Sequence, residues 1–149
     1  MTSDHGLWEH GAGLEAVRNV LWSWMSLPDT DRRRDEFDRL ALALFRWQAH
    51  HNEVYGEFVR LMGVEPHAVD AVDDIPFMPV DLFKSREVKS TSWPTDHIFR
   101  SSGTSATPPR AAHHLDSAGG AWYRKVAALA WSSVWNTEVS DHDLSLIHI

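Results

Sequence analysis

Phe99-Arg100-Ser101-Ser102-Gly103-Thr104-Ser105-Ala106-Thr107-Pro108-Pro109-Arg110 is a small, hydroxylated run between a strand-like approach and an arginine. Ile98 and Phe99 suggest the end of a strand, Gly103 frees the backbone to turn, and Pro108-Pro109 stops a helix or a continuing ladder. Successive N–H groups in such a turn can converge on one centre. The hydroxyls of Ser101, Ser102, Thr104 and Ser105 add donors without bulk, so the concavity suits an anion. Phosphate suits so many donors better than a carboxylate does, and Arg110 can add a bidentate cationic contact. Taken by composition alone, a Ser/Thr/Gly/Pro cluster is more often a solvated turn.

On the far side of the run, residues 111–115 have the pattern of a second strand. A hairpin with residues 98–100 would leave the loop at its tip, and His113 and His114 would point to opposite faces. Asp116 or Ser117 is placed to cap a helix over residues 118–136. Trp122, Val126 and Leu129 share one face of that helix while Trp131, Val134 and Trp135 occupy others, a distribution that predicts a buried helix.

Upstream, Trp93-Pro94-Thr95 reads as a turn and residues 86–90, with Val88 inside, as a short strand. Before it, Ile75-Pro76-Phe77-Met78-Pro79-Val80 contains two prolines and cannot be a central strand. Its apolar residues, with Leu82 and Phe83, predict an extended rope pinned across the core and ending in a short turn of helix. Lys84 follows directly, where an anchored backbone could aim it, although a surface lysine on an apolar stem looks the same in sequence. Residues 66–74 form a turn with acidic punctuation.

The first half is helical. Leu14, Val17, Leu21, Trp24 and Met25 have helical spacing, and Pro28 ends the run. Phe37, Leu40, Ala41, Leu44, Phe45 and Gln48 fall on one face of a second helix, with Arg39 and Arg46 opposite. A third carries Tyr55, Phe58, Val59 and Met62 on one side and stops at Gly63. His50, His51 and Asn52 fill the join as surface or capping residues. Adjacent histidines cannot share one metal from a regular helix. Residues 1–13 are polar and predicted flexible; their G-x-G-x-x-A match, Gly11 to Ala16, has no strand before it and is not a dinucleotide site.

A chain of 149 residues holds one domain or part of one. With no cysteine, disulfides, thiolate catalysis and sulfur-ligated zinc are excluded for this stretch, and no other metal set stands out. A net charge of -7 argues against nucleic acid and anionic membranes as partners. The basic run Arg32-Arg33-Arg34 is bracketed by acids and reads as a solvated helix start. No apolar run reaches membrane-spanning length and residues 1–10 lack signal-peptide character, so a cytoplasmic setting is expected.

Ser101-Ser102-Gly103-Thr104-Ser105 resembles the Ser-Ser-Gly-Thr-Thr-Gly phosphate loop of the adenylate-forming (AMP-binding) ligases. Within that superfamily, residues 75–84 resemble the segment preceding the loop in the LuxE-type acyl-protein synthetases. The likeness covers residues 37–135. It implies an α/β fold, here the helix-rich N-terminal portion of the ligase large domain over residues 14–149, incomplete at its C-terminal end, with short strands around the loop. It also implies ATP and Mg2+: a carboxylic or fatty acid would become an acyl-adenylate, then pass to a thiol, such as a protein cysteine of an acyl reductase partner. On this likeness Ser101, Ser102, Gly103, Thr104 and Ser105 would cradle the β- and γ-phosphates, with Arg110 at the loop's base. Lys84 and His113 would stand beside them. Ser105 and Ala106 replace the family's second threonine and second glycine; serine keeps the hydroxyl, whereas alanine is strained where φ > 0 is needed.

The family's adenine-binding motif, magnesium-binding acid, hinge and C-terminal lysine have no counterpart in these residues, so the stretch reads as a fragment that is inactive alone. Its last residues, 144–149, begin an apolar strand-like run that also resembles sequencing-adaptor read-through. A reading of a different class makes the chain a noncatalytic helical interaction module with a Ser/Thr-rich linker. A serine hydrolase using Ser101 or Ser102 would lack the G-x-S-x-G elbow.

Overall fold

The computed structural model describes residues 12–101 and 109–135. They belong to two units: the first runs to Leu82 and takes back Val88–Ser92, and the second comprises Phe83–Glu87 and the chain from Trp93 onward. Among the described residues the fold is helix-rich, with one small antiparallel sheet, as expected for part of an α/β domain.

In the first unit, α1 (Leu14–Met25), α2 (Arg34–His51) and α3 (Glu53–Leu61) are followed by the 3-10 turns Pro66–Ala68 and Val72–Asp74. Pro28 prevents α1 from continuing, and the carbonyls it leaves open are taken up by Arg32. Its Nε donates to Leu27 O at 2.9 Å and its Nη2 to Met25 O at 2.7 Å, with the guanidinium 5.7 Å from the Trp24 ring centre. The basic run is therefore not uniformly solvated: Arg32 fastens the end of α1, while Arg33 and Arg34 pair outside with Asp35 and Asp38 at 2.8 Å.

A single residue separates α2 from α3. Buried Asn52 ends one helix, and its Oδ1 accepts from Tyr55 N at 3.1 Å to begin the next. So short a join brings the helices together at Gly56, where a Cβ would run into the carbonyl oxygen of Ala49. The core is Phe45, Tyr55, Val59 and Val69, with Leu42, Ala49, Phe58, Val64, Ile75 and Met78 packed around it. Gly63 (φ +69°) closes α3 as predicted.

Helical periodicity misassigned Arg46, Trp47 and Met62, and Phe37, on the predicted α2 stripe, is exposed. Trp47, absent from the predicted stripe, is buried; its indole donates to Ala12 O at 2.9 Å and stacks 4.4 Å from His51. Arg46, placed on the solvent side, reaches back to donate to Pro66 O at 3.3 Å and Val69 O at 2.8 Å, so backbone carbonyls of the following turns give its head a reason to be half-buried. Met62 is exposed, because α3 ends at Leu61 and the chain turns away there.

The proline-containing segment is extended and no strand, as its composition requires. Tyr55 Oη donates to Pro76 O at 2.8 Å and fixes it to the core. Only Ile75 and Met78 pack inward, whereas Phe77 (82 % exposed) and Val80 (66 %) face out, contrary to the expectation that all were buried. The two inward residues are three apart and so are the two outward ones, a spacing in keeping with a proline-stiffened chain.

The rope leads into α4 (Leu82–Ser85), the expected short turn of helix. In the second unit, β1 (His97–Arg100) pairs antiparallel with β2 (Ala112–Leu115), with His97 opposite Leu115 and Arg100 opposite Ala112. The predicted strand at 86–90 does not form; its one apolar residue, Val88, is too little to define a buried face. Helix α5 (Ser117–Trp135) starts where Asp116 Oδ1 accepts from Gly119 N at 2.6 Å. Its expected burial is not realised among the described residues: Tyr123, Trp131 and Val134 are exposed, because the hairpin covers only one side.

Candidate functional site

The hairpin expected on both sides of the Ser/Thr/Gly run forms, and Ser101 N donates to Ala111 O at 3.0 Å beyond the last strand pair. That bond holds the two ends of the run together. Ser101 and Arg110 are exposed at this end, and so is Arg100, the terminal residue of β1. Arg100 and Arg110 are thus each one residue from the closing bond along the chain. Ser102, Gly103, Thr104 and Ser105 lie outside the described residues.

Local geometry explains why the root of the hairpin is well defined. Asp96, just before β1, donates its N–H to Leu115 O at 2.9 Å. Its Oδ2 accepts from Ser117 N at 2.8 Å and Ser117 Oγ at 2.7 Å. The Ser117 hydroxyl, then the Ser117 N–H, holds the Asp96 carboxyl below the usual carboxylate range. Asp96 and Asp116 together satisfy the first N–H groups of α5, so this helix start is already filled by the protein's own acids. Gly120 is buried there, with the His97 ring edge 3.2 Å from where its Cβ would stand.

Of the residues singled out beside the loop, His113 is exposed on β2 and its ring meets Phe83 at 4.8 Å. Lys84, next in sequence, is exposed. His114, treated in sequence as an ordinary strand residue, is the more constrained of the pair. Its Nδ1 lies 3.3 Å from Thr95 Oγ1 and 3.4 Å from Glu87 Oε1, while Thr95 Oγ1 donates to Glu87 Oε1 at 3.0 Å. Sequence reasoning missed Glu87 and Thr95. They are far from His114 along the chain, and no local motif links a glutamate, a threonine and a histidine so spaced; only the hairpin brings them together.

Among the described residues, no three histidine or acidic side chains are grouped to hold a metal ion, and no helix is long and apolar enough to cross a membrane. No curated protein and no solved structure matches the chain. One family model does, that of the acyl-protein synthetase LuxE, over residues 23–149. The match takes in both the proline-stiffened rope and the hairpin, and by it this chain belongs to the LuxE acyl-protein synthetase family.

Proposed function

We propose that residues 14–149 are the N-terminal part of the large domain of an ATP-dependent acyl-activating enzyme, and that the hairpin end carries its phosphate loop. Family membership implies acyl-protein synthetase chemistry, with a fatty acid and a protein acyl acceptor in general terms. The observation that carries the finer reading is the Ser101 to Ala111 closure. It joins the ends of a run rich in small donors and sets Arg100 and Arg110 at the same end.

Bound there with Mg2+, ATP would supply the leaving group: a carboxylate oxygen bonds to the α-phosphorus, pyrophosphate departs with the electron pair of the broken P–O bond, and a thiolate later takes the acyl group as AMP leaves. The chain's own part is electrostatic. Ser101, Ser102, Gly103, Thr104 and Ser105 would offer N–H and O–H donors to the β- and γ-phosphate oxygens, where negative charge gathers as the bond breaks. Arg110 would add a fixed positive charge at the base. Lys84 and His113 would be lesser contributors. The acceptor thiol would be a protein cysteine outside this cysteine-free stretch, either the enzyme's own or that of an acyl reductase partner. A cytoplasmic setting, where ATP is supplied, goes with this reading.

The test is carboxylate-dependent pyrophosphate release by the full-length protein. Ser102→Ala or Thr104→Val should lower the rate about a hundredfold, the size of one lost donor to developing charge, without changing the circular dichroism spectrum. An unchanged rate in a folded variant refutes the phosphate-loop reading. ATP protection of residues 104–109 from proteolysis separates this from a noncatalytic module, whose linker is cut at the same rate with or without nucleotide.

A further inference from the structure

We propose that Glu87, Thr95 and His114 are positioning residues for the phosphate loop, acting through the two strands that enter and leave it; this rests on the phosphate-loop reading above. The placement of the three groups carries it. Thr95 stands two residues before β1, His114 is in β2 opposite Ile98, and Glu87 ends the segment Phe83–Glu87 of the same unit. The side chains therefore tie the strand entering the loop, the strand leaving it and the residues just after the rope.

The segment is held to β2 twice. Phe83 packs on the His113 ring, and Glu87 reaches His114. Neighbouring strand residues project to opposite faces, so these two contacts are made with side chains from opposite faces of β2. A strand paired to β1 and held through His113 and His114 has little freedom to slide, and a slip of one residue would replace Ala111 opposite Ser101 and turn every β2 side chain to the wrong face.

The protons can be assigned. The Thr95 hydroxyl has one hydrogen, given to Glu87 Oε1, so its oxygen can only accept from His114. His114 Nδ1 must then carry a proton, shared between Thr95 Oγ1 and the Glu87 carboxylate. These three contacts are thereby satisfied in one arrangement. His114 is well shielded, its side chain 16 % exposed, so the arrangement is not washed out by solvent. The directed bonds add to the register that a half-buried strand's alternation already favours.

The experiment measures carboxylate-dependent pyrophosphate release by the full-length protein with ATP varied, then with the acid varied, in Thr95→Val, Thr95→Ser, His114→Gln and Thr95→Val/His114→Gln. The expected result is an ATP KM about tenfold higher in Thr95→Val and in His114→Gln, typical of a group acting through others, with kcat and the KM for the acid within about twofold. Thr95→Ser keeps the hydroxyl and should restore the ATP KM, and the double variant should be no worse than the single ones. The proposal is overturned if the ATP KM of a variant with an unchanged urea midpoint does not move, if both KM values rise together, or if Thr95→Ser is as poor as Thr95→Val. Should His114→Gln fail to fold, the half-exposed Thr95 pair decides by the same criteria. Ser102→Ala in the same assay separates the two levels. An effect of Ser102→Ala with none of Thr95→Val removes only the positioning role, whereas no effect of Ser102→Ala removes the phosphate loop and this proposal with it.

Discussion

Replacing Gly56 by alanine sets two effects of opposite sign against each other, and only the packing of α2 on α3 decides between them. Judged by helix propensity, glycine inside α3 should cost about 1 kcal/mol relative to alanine, so Gly56→Ala should stabilise the protein. In the structure the new methyl group would run into the backbone oxygen of Ala49, which belongs to α2 and cannot rotate aside as a side chain would. Relief requires α2 and α3 to separate, which loosens Phe45, Tyr55 and Val59 together. Overpacking of this kind costs about 1–3 kcal/mol. With the propensity gain deducted, a net loss of up to about 2 kcal/mol remains, or at most roughly a 1 M fall in urea midpoint for a chain of this size. Gly13→Ala is the control, since nothing stands within 4 Å of its added methyl. A Gly56→Ala midpoint above that of the parent, with unchanged m, would show that the helices are not in contact here.

Two further outcomes follow from buried or bonded groups. Tyr55→Phe should cost about 1 kcal/mol by leaving the Pro76 carbonyl without its donor. Because burial raises the Tyr55 phenol above its ordinary value, the parent should also lose stability as the pH climbs beyond about 10, and Tyr55→Phe should lose less of it, as urea titrations across that range would record. Asp96 has the opposite sign. Its folded carboxyl is depressed by Ser117, so its contribution is complete above the unfolded value of about 4 and disappears as the pH falls through the folded one. Acid unfolding of Asp96→Asn, followed by circular dichroism, should therefore be less steep below about pH 4 than that of the parent.

Much of the architecture can be read along the chain. Pro28 and Gly63 end α1 and α3, Asn52 joins α2 to α3, and the alternating residues around the Ser/Thr/Gly run form the expected hairpin. These features depend on short-range chemistry: a missing N–H, a backbone free to take φ > 0, a side-chain oxygen within reach of a nearby amide. The rope was legible as extended for the same reason. Its burial was not, because hydrophobicity alone does not reveal which of its side chains turn inward.

The site divides in the same way. Ser101 and Arg110 were singled out from sequence because a motif is local, and its likeness to a family loop can be seen residue by residue. The contacts that fasten its strands were not, because Glu87, Thr95 and His114 become neighbours only once β1 and β2 pair. Arg46 and Trp47 teach the same lesson in the helical unit, where partners at Pro66, Val69 and Ala12 override the pattern of the helix that carries them. By itself, then, the sequence determined where elements begin and end and which run of donors is set between two strands. Tertiary structure alone decided which face of the rope is wet, which arginine is a clamp and which histidine is held, since a hydrogen bond between distant residues has no counterpart in the spacing of either.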